Sequence, residues 1–272
     1  MRVLFVKMHG LGNDFIVLDG RADVLPAMTP RFAAALADRR TGIGCDQLIV
    51  LEPSDVADLR MRIFNHDGGE VEACGNASRA VGLLLGTSAQ IETLGGLLRV
   101  DPAAGGASVD MGAPRFEWDQ IPLAYPLDTH TMPVAWDELN APSAVNVGNP
   151  HVVFFVADNG AVPLDQLGPE IERDALFPDR INVNVATVES RSRIRLRVWE
   201  RGVGETRACG TGACATAVAA VRRGLVERSV TIALAGGELA IEWPEGGTIR
   251  MTGAAAESFR GSFDPADYGA PA

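Results

Sequence analysis

Met61-Arg-Ile-Phe-Asn-His-Asp-Gly-Gly-Glu-Val-Glu-Ala-Cys-Gly-Asn-Ala-Ser-Arg-Ala80 and Leu196-Arg-Val-Trp-Glu-Arg-Gly-Val-Gly-Glu-Thr-Arg-Ala-Cys-Gly-Thr-Gly-Ala-Cys-Ala215 are two copies of one motif. Arg62 matches Arg197, Gly69–Glu70 matches Gly204–Glu205, and Ala73–Cys74–Gly75 matches Ala208–Cys209–Gly210. Cys209 lies 135 residues beyond Cys74, close to half of the 272-residue chain. Outward from the motif the order is kept: Gly12–Asn13 with Gly148–Asn149, Ile91 and Gly95–Gly96 with Ile232 and Gly236–Gly237, and Met111 with Met251. A chain of two similar halves places equivalent residues around a pseudo-two-fold axis. Halves that face each other bring Cys74 and Cys209 to one point from opposite sides. Two matched acid/base groups on opposite faces of a substrate are what inverting a stereocentre requires.

A chain of this length holds one large domain or two of ordinary size. The repeat selects two. A net charge of −11 and a pI near 4.8 argue against a nucleic-acid or anionic-membrane partner. No apolar run is long enough to span a bilayer, and the N-terminus carries no signal-peptide pattern. The expected location is cytoplasmic, where cysteines stay reduced. Lys7 is the single lysine, and it sits in an apparent first strand without a phosphate-cradling loop nearby. A pyridoxal-phosphate enzyme, which needs a Schiff-base lysine, is therefore not expected. Neither Cys-x-x-Cys nor a His pair at ligand spacing is present, so no metal site is expected. No cofactor is expected at all.

Short runs of Val, Ile, Leu and Phe at period two, separated by Gly, Pro and Asp, read as strands. In the first half they are Val3–Met8, Phe15–Asp19, Leu48–Leu51, Leu59–Phe64, Leu97–Val100 and Ser108–Met111. Their partners are Val152–Val156, Asn182–Val188, Arg193–Trp199, Val230–Leu234, Glu238–Trp243 and Thr248–Met251. The Gly95–Gly96 and Gly236–Gly237 pairs read as tight hairpin turns. A helix is expected over Gly75–Leu85, ending at Gly86, and another over Gly210–Arg223, ending at Gly224. The latter is apolar nearly all round, so strands must wrap around it. Thr29–Pro30 suits the cap and first turn of a third helix running to Arg39. Residues 114–143, rich in Pro and Trp, read as an inter-domain crossover, and the tail beyond Phe263 as weakly specified.

Each motif cysteine stands at a predicted helix start, where unpaired backbone N–H groups create a positive field. That field is expected to lower the thiol pKa. Gly75–Asn76 and Gly210–Thr211 leave backbone N–H groups open to a substrate carboxylate. They would also stabilise the charge that spreads onto that carboxylate when the adjacent carbon loses its proton. One thiolate removes the α-proton and the opposite thiol returns one to the other face. Cys45 and Cys214 have no counterpart in the other half and read as structural.

Met8-His-Gly-Leu-Gly-Asn-Asp-Phe15, Gly42-Ile-Gly-Cys-Asp-Gln47, Asn65 to Asn76, Gly148-Asn-Pro-His151, Arg180-Ile-Asn182 and Trp199 to Ala215 together closely resemble the diaminopimelate epimerases. The resemblance runs in order from about residue 3 to residue 253. It implies pyridoxal-independent conversion of LL- to meso-diaminopimelate, on the route to lysine and peptidoglycan. It implies an α/β (α+β) fold of two pseudo-symmetric domains, each a curved, mostly antiparallel sheet wrapped around a central helix. The domains would span 1–117 plus 257–272, carrying Cys74, and 118–256, carrying Cys209. By motif match, Cys74 and Cys209 take the paired acid/base roles. Asn13, Gln47, Asn65, Gly75, Asn76, Asn149, Asn182, Glu200, Arg201, Gly210 and Thr211 take substrate-binding positions. His151 and Glu200 match residues that tune the cysteines. His66, Gly69 and Ala77–Ser78 depart from the commoner family pattern without removing a named polar group. The implied partner is a small-molecule substrate, with a homodimer as the assembly to test.

Three other readings compete, of which a dithiol oxidoreductase would normally show Cys-x-x-Cys, absent from this sequence. A proline- or hydroxyproline-type cofactor-independent racemase would share fold and cysteines, but Asn65, Asn182 and Arg201 favour a substrate with a second amino-acid centre. A catalytically silent binding module would be expected to lose one cysteine of the pair, and both are present.

Overall fold

The computed structural model describes residues 2–22, 24–72 and 74–270. The first half runs β1 (Val3–Gly10), β2 (Asn13–Asp19), α1 (Pro30–Ala37), β3 (Gln47–Glu52), β4 (Leu59–Asn65), β5 (Glu70–Val71), α2 (Gly75–Leu85), β6 (Ala89–Thr93), β7 (Gly96–Ala103) and β8 (Gly106–Asp110). The second runs β9 (Ala135–Trp136), β10 (Leu139–Asn140), β11 (Ser143–Asn146), β12 (Pro150–Phe155), α3 (Leu164–Glu172), β13 (Asn182–Ser190), β14 (Arg193–Glu200), β15 (Gly204–Thr206), α4 (Gly210–Arg222), β16 (Ser229–Leu234), β17 (Gly237–Glu242), β18 (Arg250–Ala254) and β19 (Ala256–Phe263). By contacts the chain divides into a first unit, Met1–Val109 with Gly253–Ala272, and a second, Asp110–Thr252. Residues 110–117 go with the second unit because Met111 N–H donates to Ile249 O and Arg115 bridges Asn146.

In the first unit β1 pairs antiparallel with β2, β2 parallel with β3, and β3 antiparallel with β4. β4 is antiparallel to β5 and parallel to β6, which is antiparallel to β7. In the second unit β11 to β17 repeat the same partners and directions. The correspondence holds by residue: Phe15 stands opposite Gln47 as His151 stands opposite Asn182. Most of the pairing is antiparallel, as expected. β19 returns to the first unit and pairs antiparallel with β1.

Each parallel step needs a crossover, and α1 and α3 supply one per unit. Phe32 and Leu36 of α1 pack with Ile16, Leu18, Leu48 and Val50. Leu164, Leu167 and Ile171 of α3 pack with Val152, Phe154, Val183 and Val185. α2 and α4 are the inner helices. Every residue of Gly212–Ala220 is buried, and α4 touches β11, β12, β13, β14, β16 and β17. A helix without a polar face has no solvent-facing solution, so the sheet curves around it. Strands covered on both sides are apolar on both sides, as in the fully buried Phe15–Leu18.

Several elements differ from the sequence expectation. α3 was unexpected, because Gly168 and Pro169 interrupt its pattern. Gly168 has a packing cause: a Cβ there would lie 2.6 Å from Cδ2 of Trp199. The stretch read as a crossover contains β9 and β10 and ends in β11, which is the counterpart of β1; Val152–Val156 corresponds to β2. α1 stops at Ala37, where Asp38 turns extended. The hairpins turn through Leu94–Gly95 and Ala235–Gly236, since Thr93 pairs with Gly96 and Leu234 with Gly237. The second glycine of each pair instead opens the returning strand, at φ +119° and +141°. The tail beyond Phe263 forms a 3-10 turn, Pro265–Tyr268, with Tyr268 edge-on to Phe263. Ala73, within the repeated motif, lies outside the described residues.

Candidate active site

In the first unit Cys74 is the N-cap of α2. Its backbone is extended and its Sγ accepts from Ala77 N–H at 3.5 Å. Asn13, the first residue of β2, sets its Oδ1 3.9 Å from the Cys74 thiol and 3.3 Å from the donating Nδ2 of Asn76. The Nδ2 of Asn13 donates to Asp46 Oδ2 at 2.9 Å. Arg39 bonds both Asp46 and Asp14, and Lys7 bonds Asp14 at 2.6 Å. Burial pushes the Asp14 carboxyl up, but Arg39 and Lys7 together hold it well below the usual carboxylate range. The single lysine thus anchors the framework behind Asn13. Gln47 Nε2 donates to Asn65 Oδ1 at 3.0 Å, directly across β3 and β4. That leaves Gln47 Oε1 buried without a partner among the described residues.

In the second unit Cys209 caps α4 in the same way, its Sγ accepting from Gly212 N–H at 3.3 Å with Thr211 Oγ1 at 3.5 Å. Glu200 closes β14 as Asn65 closes β4, so a carboxyl replaces a carboxamide at matching positions. Thr206 Oγ1 donates to Glu200, and the Cys209 side chain also bonds it. Burial pushes the Glu200 carboxyl up. The Cys209 thiol is driven well above its ordinary pKa, first by burial and then by the Glu200 carboxylate; Thr211 and Gly212 N–H oppose this only in part. The expectation that the helix start lowers this pKa is therefore corrected. A helix terminus exerts a partial charge that is outweighed by complete desolvation beside a carboxylate. At rest Cys209 is a thiol.

The other expected residues gather in pairs. Asn182 Nδ2 donates to Pro150 O at 2.8 Å and its Oδ1 accepts from Arg201 N–H at 2.9 Å. The Arg201 guanidinium donates to Asp179 O at 2.9 Å. His151 is fully buried, with Nε2 2.9 Å from Asn149 Oδ1 and Nδ1 3.0 Å from Asn184 Nδ2. Both ring nitrogens are thus engaged by asparagines, while Glu200 is the group in contact with a cysteine. Burial lowers the His151 pKa to about 3, so the ring is neutral. Gly75 and Gly210 open the two inner helices.

Four contributors were not singled out from sequence: Asp46, Arg79, Asn184 and Thr206. Arg79 is fully buried and its Nη2 donates to Asn76 Oδ1 at 2.7 Å. Asp46 sits inside the Gly42–Gln47 stretch, and its role depends on Asn13 and Arg39 from other parts of the chain. Asn184 had a legible signal, since it shares a strand face with Asn182 between apolar Val183 and Val185. Among the described residues no group of three His, Cys, Asp or Glu is placed to hold a metal ion.

The family model described as Diaminopimelate epimerase matches residues 5–117 and 143–257. A diaminopimelate epimerase of Erythrobacter litoralis (strain HTCC2594) is 68% identical over 268 residues, covering 98% of this chain and 100% of that protein. The chain belongs to the diaminopimelate epimerase family. Solved structures extend the likeness of this family member at the level of fold. A phenazine biosynthesis protein of the PhzF family from Enterococcus faecalis superposes with a TM-score of 0.72 at 14% identity, over 97% of this chain and 100% of that one. A hydroxyproline epimerase from Agrobacterium vitis, with bound trans-4-hydroxy-L-proline, gives 0.66 at 16% identity, over 98% and 95%. No helix among the described residues is long and apolar enough to cross a membrane.

Proposed function

We propose that this protein epimerises LL-diaminopimelate to meso-diaminopimelate by proton exchange at the α-carbon between Cys74 and Cys209, without a cofactor, as a cytoplasmic step of lysine and peptidoglycan synthesis. The observation that carries the mechanism is the matched pair of capping cysteines. Each Sγ already accepts a helix backbone N–H, from Ala77 in one unit and Gly212 in the other. The thiols work as a pair with one proton between them. The thiolate takes the α-proton from one face; the opposite thiol donates its proton to the other face, and the sulfurs exchange states. Cys209, held as a thiol by burial and Glu200, suits the donor role at rest. The Glu200 carboxylate beside it makes the thiolate left by that donation the stronger base, which favours its taking a proton back from carbon in the reverse reaction.

The N–H groups of Gly75–Asn76 and Gly210–Thr211 receive the α-carboxylate and the charge that delocalises onto it. Gln47 Oε1 offers an acceptor suited to an ammonium group. Asn65, Asn149, Asn182 and Arg201 recognise the second amino-acid centre largely through neutral amides, which leave the thiol pKa values undisturbed. This set favours diaminopimelate over proline, which has no second centre. The test is incubation of the pure protein with LL-diaminopimelate and with L-proline in deuterated water. Deuterium entry at one α-carbon of diaminopimelate, lost in both Cys74→Ala and Cys209→Ala, is expected. Substantial turnover in either single variant sinks the two-thiol mechanism, and turnover of proline instead moves the assignment to the racemases.

A further inference from the structure

Asn184 lies within β13, a strand whose other face, Val183 and Val185, belongs to an apolar core. It is fully buried, and its Oδ1 has no hydrogen-bond partner among the described residues. That oxygen also restricts its surroundings, since a Cβ on Gly212 would lie 2.8 Å from it. A buried polar atom left unpaired destabilises the fold, so a leucine of the same shape would suit the core better. The amide nitrogen supplies the reason for an asparagine. Nδ2 lies 3.1 Å from Val152 O and 3.0 Å from His151 Nδ1. A carbonyl oxygen can only accept, which fixes the nitrogen on that side of the amide. An amide nitrogen can only donate, so His151 Nδ1 must accept and the ring proton must sit on Nε2. Nε2–H then donates to Asn149 Oδ1 at 2.9 Å. The amide NH2 of Asn149 is left as the end free to meet a ligand.

The first unit resolves the same position in the opposite sense. Phe15 and Ile49 occupy the register places of His151 and Asn184. There Asn13 gives its Nδ2 to Asp46 and turns its Oδ1 towards Cys74 and Asn76. Matching asparagines thus offer an acceptor in one unit and donors in the other. We propose that Asn184 is a positioning residue that locks His151 as the Nε2–H tautomer and so makes Asn149 present amide N–H groups, rather than a carbonyl oxygen, to a substrate carboxylate. The contact with substrate rests on the epimerase reading above; the tautomer lock does not.

The lock is read by long-range 1H–15N correlation NMR on protein labelled with [15N]histidine, with His151→Gln assigning the ring among four histidines. Wild type should give the Nε2–H pattern. Asn184→Asp places an acceptor at Nδ1 and should move a proton there; Asn184→Leu, which removes the donor while keeping the shape, should yield a tautomer mixture. With the Asn149 amide no longer held, KM for diaminopimelate should rise roughly ten- to hundredfold, the size of a lost hydrogen bond to a charged group, with a smaller change in kcat. An Nδ1–H ring in wild type, or an unchanged ring in both variants, overturns the proposal. A ring that responds as described in a protein inactive on diaminopimelate leaves the lock standing and removes the function assigned to it. A ring that responds while KM stays unchanged refutes the link to Asn149.

Discussion

Gly212→Ala tests how tightly the Cys209 thiol is held. An added Cβ would lie 2.8 Å from Asn184 Oδ1, 3.0 Å from Val198 Cγ2 and 3.3 Å from Cys209 Sγ. Asn184 cannot swing away without losing its bonds to His151 and Val152, and Val198 is fully buried in β14. The start of α4 must therefore shift by about half an ångström, carrying the N–H that holds Sγ. Alanine in a helix gains about 1 kcal/mol over glycine. Overpacking a closed core costs about 1–3 kcal/mol. The net expectation is a loss of about 1 kcal/mol, a fall of about 2 °C in Tm for a chain of this size. Activity should suffer more, because sub-ångström misplacement of a reacting group costs on the order of 10–100-fold. Urea denaturation and deuterium entry into LL-diaminopimelate measure the two effects. An alanine variant as stable and as active as the parent would refute the claim that packing at Gly212 positions the thiol.

Replacing Cys45 or Cys214 with alanine should lower stability by about 1 kcal/mol and leave turnover intact; Cys45 is buried, with its thiol pushed up to about 12, so it is inert, and a folded but inactive variant would show a catalytic role. Glu200→Gln removes the carboxylate that helps raise the Cys209 thiol, so iodoacetamide should modify Cys209 faster near neutral pH, and a slower reaction by peptide mapping would reverse the assigned sign. Arg201→Met should raise KM for diaminopimelate more than it lowers kcat, and an unchanged KM would favour a single-centre substrate. His151 has a folded pKa depressed to about 3 from an ordinary 6.5, so its stabilisation is complete above 6.5 and declines as pH falls towards 3. The slope approaches about 1.4 kcal/mol per pH unit, and urea unfolding at pH 7.5, 6.5 and 5.5 should show it in wild type but not in His151→Gln.

The inner helices and their capping cysteines were legible because each signal is local. Cys74 and Cys209 precede glycine at the junction of a strand-like and a helical pattern, and Gly86 marks the helix end through its left-handed backbone. Thr29–Pro30 was legible for the same reason. α3 was not, because Gly168 answers to Trp199, a residue far along the chain. β11 was hidden by its brevity and by the proline before it. At the site, the identity of most polar residues could be read from their motifs, but their roles could not. His151 was expected to tune a cysteine, whereas its bonds run to Asn149 and Asn184.

What the sequence by itself determined is the repeat, the helix starts, the family and the residue types available at the site, since spacing and side-chain chemistry are properties of the chain. Tertiary structure alone decided which way each of those groups acts. Burial beside Glu200 reverses the expected effect of a helix terminus on Cys209, and Val152 O, through Asn184 and His151, sets the direction of Asn149. Desolvation and hydrogen-bond direction depend on neighbours brought from distant positions, and no window of sequence contains them.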